Sequence, residues 1–583
     1  MAAHVADRVA WGSRRVPAWG MQGGQAGSRV YALGVDGVAV IRRYHDETSH
    51  SPRPRSRHQV VRAFWPMDPA NRPSPFKRYR DLEREPLPTS LDPPDGAPTA
   101  LEVLSGHRPP IRSAALDPAV IARLLYYSGG VTRYAQEGRR RSWFRANASA
   151  GNLHPLELYA ACGAVSGLDS GLYHVDLDSF CLARVRPIDV RAHLAHAVGD
   201  PALAGTAVVI VITGILWRTT WKYAERGWRH VFWDAGSLLA NLLAVAEAHG
   251  VPAHLAFGFM DREVSHILGI DGTTECPVAV VAVGAPADER GRTAIPTEPS
   301  DLDELRLEVE PLSPHPLEFP LVTDAQHATN LDAAEALAGW RQACTEDHGR
   351  WMGPAAPGSI DVPDHGELLR DPMETLILRR GSTRVMARRP VPPVALTWVL
   401  SAATRPVPAD AISAGHTLLT HELAIHGVEG HAPGLYEWVP GRLARRRGGT
   451  EDQVRDLTTY LCLGQPLGGD STYTVFESAD LDTILATFGP RGYRAAHLEA
   501  GIVNGRLLLA AHALGHGATG LTFFDDEIRA AFATRASCLL VTAVGVPSYR
   551  PTPGGPPGRP RELTRFDELM ARLEDRSRQQ PRP

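Results

Sequence analysis

Six cysteines in 583 residues, none spaced Cys-x-x-Cys, leave little material for a disulfide framework or a structural metal site. Cys162, Cys181, Cys276, Cys344, Cys462 and Cys538 read as free thiols in a reducing, cytoplasmic compartment. Cys162 has no local His partner or turn signature, which argues against a nucleophile. Long hydrophobic runs are missing as well. The run Ala207–Ile212 is far too short to cross a bilayer and reads as a core strand. The N-terminus has no signal-peptide shape, because Arg and Gly interrupt its apolar residues. A net charge of -4 and a pI near 6.7 give neither a nucleic-acid footprint nor a polybasic membrane anchor. No Gly-x-x-x-x-Gly-Lys-Ser/Thr loop is present, nor a dinucleotide-binding Gly fingerprint at a strand–helix junction. ATP and a Rossmann-bound nicotinamide are therefore not expected as resident cofactors, although transient NAD(P)H donation needs no such fingerprint. His421, His426 and His431 lack a matching acidic set, so they read as surface or structural residues and no metal is expected.

What is abundant is Gly (54) and Pro (48), in a chain whose 43% hydrophobic content suits a soluble globular protein. The length exceeds one ordinary core. Composition divides the chain into an arm (1–90), a first folded unit (91–290), a linker or accessory region (291–365), a second folded unit (366–550) and a tail (551–583). The arm shows no clear helical periodicity beyond short stretches, and the tail has room for one short helix near 563–575.

An internal repeat orders the two units. Asp234-Ala235-Gly236 opens an apolar helix that ends at Gly250, and Glu499-Ala500-Gly501 opens one that ends at Gly515; acid and terminal Gly are 16 residues apart in both. Asp261 follows its acid by 27 residues and Asp525 follows by 26. Each unit ends in a strand closed by Gly, at Gly284 and Gly545, with Pro286 and Pro547 beyond. Upstream, Gly171-Leu172-Tyr173 matches Gly434-Leu435-Tyr436. Four ordered landmarks at nearly equal spacing predict two copies of one α+β unit, packed as a pseudo-symmetric dimer with the apolar helices at their interface.

The stretch Arg145-Ala146-Asn147-Ala148-Ser149-Ala150-Gly151-Asn152-Leu153-His154-Pro155 resembles the flavin-facing segment of the nitroreductase superfamily, in its SagB-type or thiazole/oxazole-forming dehydrogenase branch. Gly171-Leu172-Tyr173-His174, Trp221-Lys222-Tyr223-Ala224-Glu225-Arg226 and the Asp234 helix strengthen the likeness, which covers most of residues 120–284. The second half resembles the superfamily more loosely, best at Arg379-Arg380-Gly381-Ser382-Thr383-Arg384. The resemblance implies two α+β domains, each a mainly antiparallel sheet flanked by helices, with FMN at their interface. It also implies oxidation of thiazoline or oxazoline rings in a ribosomally made peptide, a cyclodehydratase partner, and oxygen as the simplest reoxidant.

Arg379, Arg380, Ser382 and Arg384 are candidates to grip the FMN phosphate, since Arg forks and a Ser hydroxyl suit an anion. Ser149, Gly151, Asn152 and His154 are expected beside the flavin ring, where Gly permits close approach. Thr519 and Gly520, in a small-residue segment after Gly517 and Ala518, are expected to approach the ring from the second half. The resemblance makes Lys222 and Tyr223 the catalytic pair; a lysine base needs a lowered pKa, and the sequence does not order the two roles. Read without the resemblance, the same residues are a basic stretch, a helix-start loop capped by Asn147 or Ser149, and an aromatic-rich turn. Glu225 and Arg226 read equally as supports of the pair or as structural ion-pair partners. A phosphate grip from the second half and a ring loop from the first predict one competent flavin site per chain, because the region Thr417–Glu422 lacks the Ser-Ala-Gly-Asn sequence. Another FMN-dependent desaturase or nitroreductase-like enzyme, and a non-catalytic scaffold subunit, are the alternatives.

Overall fold

The strand run Val208–Ile215 is buried along its whole length, as its β-branched, two-sided apolar sequence demands. In the computed structural model it lies inside a seven-stranded sheet whose spatial order is Arg84–Pro86, Cys181–Arg186, Gly171–Asp176, Leu156–Cys162, Val208–Ile215, Glu275–Val283 and Ala253–Ala256. Every pairing in it is antiparallel. A second seven-stranded antiparallel sheet repeats that order from Cys181–Arg186 onward: Arg442–Gly448, Gly434–Val439, Thr420–Ile425, Tyr473–Ala479 and Ser537–Pro547, with Gly517–Leu521 and Met386–Ala387 both on Ser537–Pro547. Residues 36–563 are described, apart from 57, 61–64, 108–115, 139, 164, 166, 285–301, 347–351 and 364–369. The first 35 residues of the arm, Pro286 and the helix expected near 563–575 lie outside them. Gly37–Pro583 forms one compact unit.

The Gly-Leu-Tyr landmarks mark one local device used twice. A strand register shift follows Leu172 and Leu435. The Tyr173 hydroxyl donates to the Asp169 carbonyl at 2.9 Å, and the Tyr436 hydroxyl to the Ala432 carbonyl at 2.6 Å. A Cβ at Gly171 would meet the Arg186 carbonyl oxygen at 2.8 Å, and one at Gly434 the Arg447 carbonyl oxygen at 2.4 Å, so neither position admits a side chain without a backbone shift.

The two long apolar helices, Gly227–Ala248 and Arg491–Ala513, pack against each other between the sheets. Glycine permits the approach: a Cβ on Gly236 would lie 2.5 Å from the Gly501 Cα, and one on Gly501 2.6 Å from the Trp233 carbonyl oxygen. Trp228 and Tyr493 stack face to face at 5.8 Å. Left-handed Gly250 (φ 64°) and Gly515 (φ 76°) follow the helix ends, as the repeat predicts. Both helices begin earlier than expected, however: Asp234 and Glu499 sit in their interiors rather than at their starts. The added N-terminal turns carry arginines, and these are buried.

Those arginines form a reciprocal clamp. Asp525, from the second half, receives Arg226 at 3.0 Å and Arg229 at 2.8 Å at the start of the first helix. Asp261, from the first half, receives Arg491 at 2.6 Å and Arg494 at 2.7 Å at the start of the second. A second reciprocal pair ties the short helices Ala100–Leu104 and Met373–Arg379, whose Thr99 and Pro372 pair across the axis. Arg405 donates to the Val103 and Leu104 carbonyls, and Arg133 to those of Leu378 and Arg380.

The arm and the tail are built into this frame. Helix Gly37–Thr48 presents its His45 and Thr48 oxygens to Arg229, and Arg84–Pro86 is the outermost strand of the first sheet. The tail runs back over the first half: Gly555 bonds Thr132 and Tyr126, and Arg561–Glu562 pairs in parallel with Val131–Glu137. The accessory region contributes helices Pro320–Ala328 and Ala334–Thr345.

Candidate active site

The hairpin Val131–Glu137 and Arg140–Arg145 leads into the Ser149–His154 loop, which turns through three left-handed residues: Gly151 (φ 63°), Asn152 (φ 57°) and His154 (φ 51°). Two non-glycine residues in that region are strained, and their side chains show what holds them. Asn152 Nδ2 donates to the Trp143 carbonyl at 2.8 Å, while the His154 ring lies 3.0 Å from the same carbonyl and 2.8 Å from Asn152 Oδ1. Burial pushes the His154 pKa down to about 3, so the ring is neutral. Ser149 Oγ donates to Asp234 at 2.5 Å and receives the His154 amide at 2.9 Å; the Ala150 amide reaches the same carboxylate at 2.9 Å. The side chains of Ser149, Asn152 and His154 thus brace the loop itself, leaving exposed Gly151 at its tip.

Helix Leu216–Tyr223 follows strand Val208–Ile215 and delivers Lys222 and Tyr223 to that tip. A Cβ on Gly151 would stand 2.6 Å from the Tyr223 hydroxyl and 3.0 Å from Lys222 Nζ, so only Gly leaves the two groups unobstructed. Buried Arg218 fixes the helix to the loop: its Nη1 donates to the His154 carbonyl at 3.1 Å and to Glu157 at 2.5 Å. His230, on the first central helix, stacks on Tyr223 with ring centroids 4.1 Å apart. Burial, and then the Arg384 charge, lower the Lys222 pKa below the ordinary lysine value. Burial raises that of Tyr223, which keeps its proton. Arg384 belongs to the second half, so the notch draws on both halves.

The basic cluster follows a helix, with Arg379 as the last residue of Met373–Arg379. The Arg379 guanidinium is engaged by Asp371 and the His512 carbonyl. Arg380 is buried at 3% exposure; its Nη2 donates to the Ala146 carbonyl, while Nε and Nη1 meet no acceptor. Burial and neighbouring Arg133 lower its pKa to about 9. Arg133 itself bonds only carbonyls, those of Thr552, Leu378 and Arg380. Two buried guanidiniums without a carboxylate between them are donors of the kind that could hold an anion. Ser382 bridges to Ala518 and the Thr383 amide donates to the Ala518 carbonyl at 3.0 Å, which brings the cluster against Gly517–Leu521. That segment, expected as a loop, is an edge strand, with Thr519 buried and Gly520 exposed.

The pseudo-equivalent place in the second half has lost its parts. Glu499 repeats the Asp234 bonds, taking Thr417 Oγ1 at 2.6 Å and the Leu418 amide at 2.9 Å, so Thr417 stands where Ser149 stands. Only six residues then lead to Leu423 of the sheet, against eleven from Ser149 to its counterpart Ala160, so the left-handed tip is gone. Arg226-Gly227-Trp228-Arg229 and Arg491-Gly492-Tyr493-Arg494 repeat at an offset of 265, as do Asp234 and Glu499; the same offset puts Thr487-Phe488 in place of Lys222-Tyr223. That arginine repeat is written in the sequence. Arg133, Arg218 and His230 carried no sequence signal. His421 and His426 are buried rather than superficial, and the described residues hold no cluster of metal-ligating groups.

Residues 114–285 match the model of the nitroreductase family. A protein of Methanocaldococcus jannaschii assigned as a nitroreductase, MJ1384, is 28% identical over 173 residues, covering 30% of this chain and 82% of its own. The crystal structure of an assigned nitroreductase from Anabaena variabilis aligns with 87% of this chain and 99% of its own, at 25% identity and a TM-score of 0.66. One from Ralstonia eutropha covers 37% of this chain and all of its own, at 17% identity and a TM-score of 0.27. The fold is nitroreductase-like, α+β, with antiparallel sheets flanked by helices.

Proposed function

We propose that the chain is an FMN-dependent dehydrogenase that oxidises thiazoline or oxazoline rings of a ribosomally made peptide to azoles, downstream of a cyclodehydratase. The observation that carries this reading is the convergence of Lys222 Nζ and the Tyr223 hydroxyl over the bare α-carbon of Gly151. Arg380, Ser382 and Arg384 would hold the FMN phosphate, and Gly151, Thr519 and Gly520 would flank the ring. When bound, FMN supplies the two-electron acceptor. Lys222 takes the proton from the azoline ring carbon, because burial and Arg384 keep its amine available as a base. Tyr223, held protonated and stacked on His230, orients the ring as a hydrogen-bond donor. Loss of Lys222-Tyr223 and of the loop tip from the second half leaves one such site per chain.

Cofactor identification with a measured FMN-to-chain ratio tests the first step. A ratio near one supports the reading, a ratio near two breaks its asymmetry, and a flavin-free protein favours a scaffold. Mass spectrometry of an azoline peptide then follows a loss of about 2 Da per ring oxidised. Lys222→Ala and Tyr223→Phe should abolish or greatly slow that loss; wild-type turnover in both overturns the assignment.

A further inference from the structure

Strand Cys181–Arg186 of the first sheet and Arg442–Gly448 of the second share a Leu-Ala-Arg core and differ in what covers them. Cys181-Leu182-Ala183-Arg184-Val185-Arg186 in the first half corresponds to Arg442-Leu443-Ala444-Arg445-Arg446-Arg447 in the second, since Arg184 pairs with Tyr173 and Arg445 with Tyr436. In the first half the outer edge is closed by the chain's own Arg84–Pro86, antiparallel, with Arg84 opposite Ala183 and Glu85 opposite Leu182. The Arg184 amide donates to the Glu83 carbonyl at 2.8 Å, and the Arg184 guanidinium lies 3.4 Å from the Glu83 carboxylate. This edge therefore takes an extended segment bearing acidic residues, bound by main-chain ladder and Arg–carboxylate contact together.

In the second half, among the described residues, no strand pairs with the outer edge of Arg442–Gly448. Arg442, Arg445, Arg446 and Arg447 are all exposed there. Arg446 pairs with Glu437 of the neighbouring strand, and Arg445 donates to the Pro433 carbonyl at 2.8 Å. An open strand edge offers unpaired N–H and C=O groups, and charge on it discourages indiscriminate pairing. Four arginines on one short edge, in a chain of net charge -4, do more than repel a second copy: they select a strand of opposite charge.

We propose that Arg442–Gly448 is a docking edge for an extended acidic polypeptide segment, which adds antiparallel as one more strand of the second sheet. The affinity comes from main-chain hydrogen bonds, and the selectivity from carboxylates set against the arginines. The site is separate from the flavin notch and stands or falls without it.

The test uses the full chain and a fluorescein-labelled nonapeptide of alternating Glu and Val. Fluorescence anisotropy should show saturable binding that weakens as salt is raised. The Arg442→Glu/Arg447→Glu variant should bind at least about tenfold more weakly, as two reversed ion pairs imply, with FMN content and unfolding temperature unchanged. Amide hydrogen exchange should slow across Arg442–Gly448 when the peptide is added. The proposal is overturned if the peptide does not bind, if the charge-reversed variant binds equally well, if binding leaves exchange in that strand unaltered, or if a single-stranded oligonucleotide of equal length binds more tightly than the peptide.

Discussion

Replacing Asp525 by Asn removes one negative charge from a place where two guanidiniums have left water. The Arg226, Arg229 and Asp525 side chains are 1%, 0% and 5% exposed. Burial alone would raise the Asp525 pKa, but the charges of Arg226 and then Arg229 outweigh it and hold the carboxyl well below the usual range. Breaking a buried pair of this kind costs about 3–5 kcal/mol, because the cations stay behind unpaired. In a unit of this size that is a fall of about 3–4 °C in Tm. Asp261→Asn, which strips Arg491 and Arg494, should cost a similar amount. The pH dependence follows from the sign of the shift. A depressed carboxyl contributes stability above its unfolded pKa, near 4, and loses it as pH falls through the lower folded value. The gap between wild type and D525N should therefore be full at pH 7 and narrow below about pH 4. Replacing the cluster together, as Asp525→Leu with Arg226→Met and Arg229→Leu, should recover most of the loss. Scanning calorimetry of the four proteins is the assay. Single variants that melt within about 1 °C of wild type at pH 7 would refute the clamp as a source of cross-half stability.

Three further outcomes are expected. Gly501→Ala puts a methyl 2.6 Å from the Trp233 carbonyl and 2.9 Å from the Gly236 Cα, so the central helices must part; denaturant unfolding should show a loss of about 1–3 kcal/mol or more, and a shift near zero would contradict the packing. The rate of azoline oxidation should rise with pH as Lys222 loses its proton, with a midpoint below the ordinary lysine value; Arg384→Gln removes a charge that lowers this pKa, so the midpoint should move to higher pH in flavin-loaded protein, and an unmoved profile would exclude Lys222 as the base. His154, His230, His421, His426, His497 and His512 are buried with lowered pKa values, so each contributes stability above its unfolded pKa and loses it as pH falls. Asp46, Asp234, Asp332, Asp410, Glu422, Glu477 and Glu499 are raised by burial and oppose that trend, so the histidine contribution is read from a single variant: the Tm gap between wild type and His426→Gln should narrow as pH falls from 7 to 5, and a gap that widens would contradict a buried neutral His426.

The sequence by itself determined the local elements and their duplication. Gly171-Leu172-Tyr173 and Gly434-Leu435-Tyr436 impose the same bulged strand, and Gly250 and Gly515 end the same helix, because each depends on a few neighbouring residues. Loss of Lys222-Tyr223 from the second half was legible too, once the offset of 265 is applied. Tertiary structure alone decided where the central helices begin. Arg226, Arg229, Arg491 and Arg494 enter the interior only because Asp525 and Asp261, 230 to 299 residues away, neutralise them there. It also decided the uses of polar side chains. Ser149, Asn152 and His154 brace their own loop, because a left-handed turn of non-glycine residues needs holding, and the Arg384 charge acts on Lys222 only because the halves are packed together. Helical and strand periodicity are written in near neighbours. A buried charge is stable only beside its counter-charge, and that partner can come from anywhere in the chain.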